Sequence, residues 1–451
     1  MPRIEDLKQI SERHLEPMDL TPQAKNALRS RTAAVKTGRA PTKRLRYLAV
    51  PATALILALA LIFSFSFSSP SLQVQAKDLM SGIQPNPVES QPLSDEFLRA
   101  TADFSLRLFR ETQEGDNALL SPLSAVFALG MTAAGAQGET GAQFEAVLGD
   151  GLPVETLAAQ YHALAARLTD SRAGTLRLAN SIWYRDADWL HVKDSFLQTN
   201  ADYFGADAYR ADFDDPQTAA DINKWVELQT DGLIDRMVEN IESDTVLYLF
   251  NTLLFDMKWE SVYQEPDLST RTFTLEDSTE ISHEFMSSTE SLYLSDELAE
   301  GFVKPYEGGQ YSFAALLPRE GSLDEFLSAL DGERFLAYLQ NASQETVAAS
   351  MPRFDLEDEA VLNEPLKRLG LTAAFDADIA DFSAMAEAAT GALYVGEVLQ
   401  KTSITVGAQG TRAGAATKVE MLTEGAMLTS HTVELNRPFV YAIVENETGK
   451  H

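Results

Sequence analysis

Residues Gly410 to Leu428 read G-T-R-A-G-A-A-T-K-V-E-M-L-T-E-G-A-M-L. Every second residue from Thr411 (Thr411, Ala413, Ala415, Thr417, Val419, Met421) is small or apolar. The alternate set through Leu422 (Arg412, Gly414, Ala416, Lys418, Glu420, Leu422) holds every charge. A period of two is that of a strand with one buried face. Ala and Gly are nonetheless poor strand formers. The combination suits a segment that is exposed in one state and inserted as a strand in another, because small residues enter without a steric block. A plain surface loop is the bland alternative, and the alternation weighs against it.

Conventional catalytic patterns are missing. The sequence has no HExxH, no Walker phosphate loop and no GxSxG elbow. His283-Glu284 lacks a second His four residues on, and His14, His162, His191, His283, His431 and His451 have no ligand spacing. Gly407, Gly410 and Gly414 match no phosphate fingerprint. With 67 acids, some carboxylate pair could always be nominated as a glycosidase dyad, so the number itself argues for solvated faces. The absence of cysteine excludes a disulfide scaffold and every thiolate site. A net charge of −31 argues against nucleic-acid binding, which needs clustered cations. The expectation is a protein that is not an enzyme and has no metal and no cofactor.

The elements that would carry the segment can be read by periodicity. Residues 94–112 place Phe97, Phe104, Leu108 and Phe109 at helical spacing. Ser121-Pro122 marks a helix start, with Val126, Leu129, Met131 and Ala133 buried behind it. Asp221 to Leu233 reads as an amphipathic helix with Ile222, Trp225, Val226 and Leu228 inside. Leu176 to Tyr184, Val246 to Phe255, Phe302 to Leu317, Thr402 to Val406 and Phe439 to Val444 read as strands, the second too apolar for a wet face. Helices and strands mix without strict alternation, so the class is α+β with a large, mostly antiparallel sheet.

The N-terminal part differs in kind. Residues 1–46 hold 11 bases and 5 acids, leaving 25 bases against 62 acids in the rest. Tyr47 to Phe67 is 21 residues without a charge, about the length of a membrane-spanning helix. Lys36, Arg39, Lys43, Arg44 and Arg46 precede it, and positive flanks stay cytoplasmic. The expected organisation is a basic cytoplasmic segment (1–46), a signal-anchor (47–68), a linker with little structure (69–92) and an extracellular domain (93–451). A signal peptide cut near Val74-Gln75-Ala76 is the alternative and would release a secreted protein.

A series of ordered motifs then resembles one family. Asn117 with Ser121-Pro122-Leu123-Ser124 resembles the serpin N…SPLS motif. Gly135-Ala136, Gly138 and Thr140 follow, then Ile222-Asn223, Trp225-Val226, Thr230 and Gly232. Asn251 with Lys258-Trp259-Glu260, Met351-Pro352, Phe354, Leu369-Gly370, Ala374-Phe375, Ala380-Asp381-Phe382-Ser383 and Asn436-Arg437-Pro438-Phe439 complete the match. From about residue 93 the chain resembles serpins, serine protease inhibitors of the suicide-substrate type, in the bacterial-type setting of an N-terminal anchor.

The resemblance implies three β-sheets, eight or nine helices and an exposed reactive-centre loop. The partner would be a serine protease that cleaves the loop, forms an acyl-enzyme and is carried off as the loop inserts into the main sheet, the inhibitor acting as a monomer. Gly410, Thr411, Arg412, Ala413, Gly414, Ala415, Ala416 and Thr417 fit the family's permissive hinge; Arg412 replaces the usual acid and faces outward on the alternation. Counting fifteen residues from Gly410 places the scissile bond at Glu424–Gly425. A Glu there would select a cationic pocket, as in glutamyl endopeptidases. Slippage to Leu422, Met421 or Met427 would suit chymotrypsin-, subtilisin- or elastase-like enzymes. Ser121, Ser124, Asn251, Trp259 and Gln400 resemble the shutter and breach positions that control sheet opening. Gln400 stands where the family usually has His, and is expected to hydrogen-bond among Ser121, Ser124 and Asn251 without titrating. The family also continues with one more core strand after a segment like Phe439–Val444, so the sequence ending at His451 is expected to be a truncated one, the alternative being a defective protein. The competing function is a non-inhibitory serpin-fold binding or structural ectodomain.

Overall fold

The computed structural model describes residues 74–89, 91–113, 117–170, 173–242, 245–388, 393–411 and 430–448. All of them fall in the second of the two compact units into which the chain divides, Ser71–His451. Tyr47–Phe67 and the basic residues before it lie outside the described residues. Among those described, no helix is long and apolar enough to cross a membrane.

Nine α-helices occur among the described residues. The first, Asp95–Thr112, starts where Ser94 Oγ accepts from the Phe97 N–H at 3.2 Å. Its Phe97, Phe104 and Leu108 are fully buried, as their spacing requires. Pro122–Ala133 starts the same way: Ser121 Oγ accepts from the Ser124 N–H at 3.3 Å, and Pro122 fills a first-turn position whose N–H would have no intrahelical partner. This helix is apolar almost all round and packs beneath the strand Leu247–Lys258.

Among the described residues seven strands form the main sheet, in the order Lys77–Asp78, Asp207–Ala211, Gly174–Arg185, Leu247–Lys258, Gly410–Thr411, Leu399–Gly407, Phe354–Val361. Gly174–Arg185 runs antiparallel to Leu247–Lys258 from Gly174↔Met257 to Tyr184↔Leu247. Phe354–Val361 pairs Leu399–Gly407 along its whole length. Two four-stranded sheets cover the rest of the core. One is Val440–Glu445, Tyr311–Pro318, Ala299–Pro305, Leu292–Ser295; the other is His431–Glu434, Val347–Pro352, Glu280–Glu290, Leu268–Thr274. A small pair, Leu190–Val192 with Ala386–Ala388, is added to the expected three sheets.

Several boundaries differ from the sequence reading. Phe302–Leu317 is a hairpin, Ala299–Pro305 and Tyr311–Pro318, because Gly308 and Gly309 at φ 86° and 69° reverse the chain between them. The helix expected over Asp221–Leu233 spans Pro216–Gln229: Asp215 caps it, and Asp231 and Gly232 at positive φ end it, which leaves Leu228 only half-buried. The expected loose linker is docked over residues 74–89. Lys77–Asp78 pairs antiparallel with Tyr209 and Arg210, the Gln75 N–H donates to Asp221 Oδ2 at 2.8 Å, and Asn86 bonds Asp202 through both N–H and side chain. A sheet edge recruits a strand through main-chain groups, so the polar side chains read as linker were no obstacle. Val440–Glu445 sits at its sheet's edge and, among the described residues, pairs with Tyr311–Pro318 alone.

Candidate functional site: the hinge and the strands that flank it

The strands Leu247–Lys258 and Leu399–Gly407 have no rung in common among the described residues. What joins them is Gly410–Thr411. Gly410 pairs with Lys258 on one side and Gly407 on the other; Thr411 pairs with Met257 and Val406. The start of the small-residue segment is thus already a strand of the main sheet. A groove of about 1200 Å³ opens beside it, lined by Leu253 and Asn251 of one flanking strand, Thr402 and Ile404 of the other, and Ser121.

Gly410 is dictated by close approach: a Cβ there would lie 2.0 Å from the Met257 carbonyl oxygen. Thr411 is 2% exposed, and its Oγ1 lies 2.6 Å from the Tyr306 hydroxyl. Burial pushes the Tyr306 pKa far above the usual tyrosine value, with the Thr411 hydrogen bond opposing the shift, so this hydroxyl stays protonated. Trp259 lies flat on Tyr306, ring centres 4.4 Å apart and planes at 17°. Three carbonyls just before the hinge are held from this side. Trp259 donates through its indole N–H to Gly407 at 2.8 Å and through its main chain to Gln409 at 2.9 Å; the Tyr263 N–H donates to Ala408 at 2.9 Å.

At mid-sheet Gln400 closes a two-way contact with Ser121, accepting from its N–H and donating to its carbonyl, both at 2.9 Å. Ser121 Oγ bonds Ser124 Oγ at 3.0 Å. Asn251 departs from the expected cluster: its Nδ2 donates to Asn180 Oδ1 at 2.6 Å, because the two Asn residues face each other across one rung. Its Oδ1 is buried without a partner among the described residues.

The structure therefore gathers Gly410, Thr411 and Trp259 into one cluster and Ser121, Ser124 and Gln400 into another. Arg412, Ala413, Gly414, Ala415, Ala416, Thr417, Glu424 and Gly425 lie outside the described residues. The motif reading missed Tyr306, Tyr263 and Lys304. Lys304 follows Phe302 and Val303 in a strand that also carries Glu300, and a Lys beside that apolar pair was the available signal, since a charge buried there has to be paired.

A sheet joined through the first two residues of such a segment is the arrangement in which the rest could follow as a strand. The family model described as "Serpin (serine protease inhibitor)" matches residues 99–451. The chain belongs to the serpin family. Serpins are for the most part protease inhibitors rather than enzymes, some members being non-inhibitory. Among curated relatives, an uncharacterized serpin-like protein of Thermococcus kodakarensis is 27% identical, over 78% of this chain and 83% of that one. Neuroserpin of Mus musculus is 29% identical, over 75% of this chain and 85% of its own length. Among solved structures, the thermophilic serpin tengpin in its native state overlays with a TM-score of 0.79 at 42% identity, covering 83% of this chain and 97% of tengpin. Tengpin in its latent state gives 0.72 at 40% identity, covering 80% and 97%.

Proposed function

We propose that this serpin is an inhibitory, membrane-tethered member of bacterial type, acting outside the cell as a suicide substrate of a serine protease. The observation that carries the reading is the pre-seated hinge: Gly410–Thr411 paired on both sides within the main sheet. Thr411 is small enough to be buried there, and the small residues of the hinge after it could take the same path without a steric block. Inserting Gly410 to Glu424 gives a strand of roughly 50 Å at about 3.3 Å per residue, enough to carry a bound protease from one end of the domain to the other. Cleavage at Glu424–Gly425 would direct the inhibitor to enzymes with a cationic primary pocket, of glutamyl-endopeptidase type. The tether rests on the 21 uncharged residues Tyr47–Phe67 behind a basic flank.

The test mixes the full chain, in detergent, with a glutamyl endopeptidase and separately with a subtilisin, followed by denaturing gels and sequencing of the released peptide. A gel-stable complex with a released peptide starting at Gly425 is expected. A stable complex with another start moves the site. Rapid loop cleavage by both enzymes without any complex overturns the inhibitory reading.

A further inference from the structure

Beneath the hinge lies an ion pair that the proposed mechanism does not use. Lys304 is 1% exposed and Glu290 7%, and Nζ lies 2.9 Å from Oε1. They come from adjacent elements of different sheets, Ala299–Pro305 and Glu280–Glu290. Glu290 Oε1 also accepts from Ser288 Oγ at 2.6 Å, and Ser288 Oγ is 3.3 Å from the Tyr263 hydroxyl. The ammonium sits 4.3 Å from the centre of the Tyr263 ring and 5.6 Å from that of Trp259. These are the two residues whose N–H groups hold the carbonyls of Gly407, Ala408 and Gln409, and Trp259 stacks on the ring that meets Thr411. A continuous run of contacts leads from Glu290 to the first inserted residue.

Stability explains such a pair poorly. Two charges withdrawn from water are costly, and apolar residues of similar volume commonly serve a core as well or better. A cation over two ring faces supplies orientation instead, and a fixed ring fixes the carbonyls bonded to it. We propose that the Lys304–Glu290 pair is a positioning element for loop insertion, holding Trp259 and Tyr263 so that Gly410–Thr411 stays seated as the first rung. With that rung in place, insertion after cleavage is extension of an existing strand; without it, a strand has to be started between two others, and hydrolysis of the acyl-enzyme gains time. The inference rests on the inhibitory reading above and adds the residues that set its partition.

The decisive variant of the full chain is K304M/E290M, which replaces both charges with apolar groups of similar length. Its melting temperature and its rate of loop cleavage are expected to match the parent. The inhibitor consumed per protease inhibited, in excess of one to one, is expected to rise about thirtyfold, the rate change that one desolvated cation–π contact makes. Lys304→Arg keeps a cation over both rings and should stay near the parent. Unchanged stoichiometry in the double variant overturns the proposal, as does a rise that only tracks lost stability, with Lys304→Arg no better than Lys304→Met. If the double variant does not fold, Tyr263→Leu removes one ring and leaves the pair; the same rise is expected, and its absence is fatal. A parent that forms no covalent complex overturns the inhibitory reading alone. In that case a synthetic peptide of residues 411–424, annealed to the full chain and followed by tryptophan fluorescence, still tests the pair. The peptide should enter K304M/E290M faster than the parent, since the entrance is no longer occupied, and equal rates sink the idea.

Discussion

Replacing Thr411 by Arg puts the largest strain on the proposed mechanism for the least change elsewhere. Thr411 is 2% exposed and its hydroxyl is bonded to Tyr306. An Arg in that position would give up the hydrogen bond, worth about 1 kcal/mol. It would also have to bury a guanidinium where a neutral hydroxyl pair now sits, at a cost of several kcal/mol. The variant is expected to fold with its hinge displaced from the sheet. Taking about 3 kcal/mol as the least penalty on insertion slows that step about a hundredfold. Loop cleavage is untouched, so the acyl-enzyme hydrolyses before the loop is in. The assay is a titration against a fixed amount of protease, read as residual activity and as covalent complex on denaturing gels. Thr411→Arg should give cleaved inhibitor and almost no complex. Thr411→Val keeps the shape and loses one hydrogen bond, so its effect should stay within about fivefold. Parent-like complex yield from Thr411→Arg would refute the claim that residue 411 has to enter the sheet.

Four further outcomes follow from particular contacts. Gly410→Ala forces a Cβ to within 2.0 Å of the Met257 oxygen; it should unseat the hinge and lower the urea midpoint by the equivalent of about 1–3 kcal/mol. Gln400→Ala strips both partners from the Ser121 main chain and should cost about 1–3 kcal/mol by urea unfolding, whereas Gln400→His, which can still donate and accept, should recover part of it. Burial pushes the Asp202 carboxyl up, but hydrogen bonds from Asn86 and Gln198 outweigh it and hold the group below its ordinary value of 3.8. A depressed folded-state pKa contributes stability above 3.8 and loses it as pH falls through the folded value; the protection of amides around Asn86 against hydrogen exchange, relative to the free-chain rate at each pH, should therefore fall in acid below that point, and Asp202→Asn should remove the dependence. Deletion of residues 1–68 should move the protein from the membrane fraction to the soluble one without changing inhibition, and a full chain found soluble would remove the tether.

Helix starts were legible because they are local. Ser121 caps as its sequence setting indicates, because its hydroxyl reaches an N–H three residues on and no distant group is needed. The motif series likened Trp259 and Gln400 to positions that control sheet opening; in the structure Trp259 bonds the Gly407 carbonyl and Gln400 bonds the Ser121 main chain. Errors arose where one residue depends on a remote one. The Phe302–Leu317 run looked continuous because apolar residues lie on both sides of a turn that two glycines make. Residues 74–89 looked like linker because their side chains are polar, whereas their docking is done by main-chain groups and by Asp202, more than a hundred residues on. Asn251 was assigned to Gln400 and is held by Asn180, a choice made by strand register.

By itself the sequence determined that a segment of alternating small residues follows Gly410, that the body is α+β, and which family its motifs resemble. Each rests on periodicity or on residue order, which the chain carries without folding. Only the tertiary structure decided that Gly410–Thr411 is already a rung between two strands that otherwise share none. It alone brought Tyr306 to Thr411 across 105 positions and placed Lys304 with Glu290 under the rings that hold the hinge. Those contacts join separate sheets, and no local pattern encodes a distance between residues that meet only after the sheets have packed.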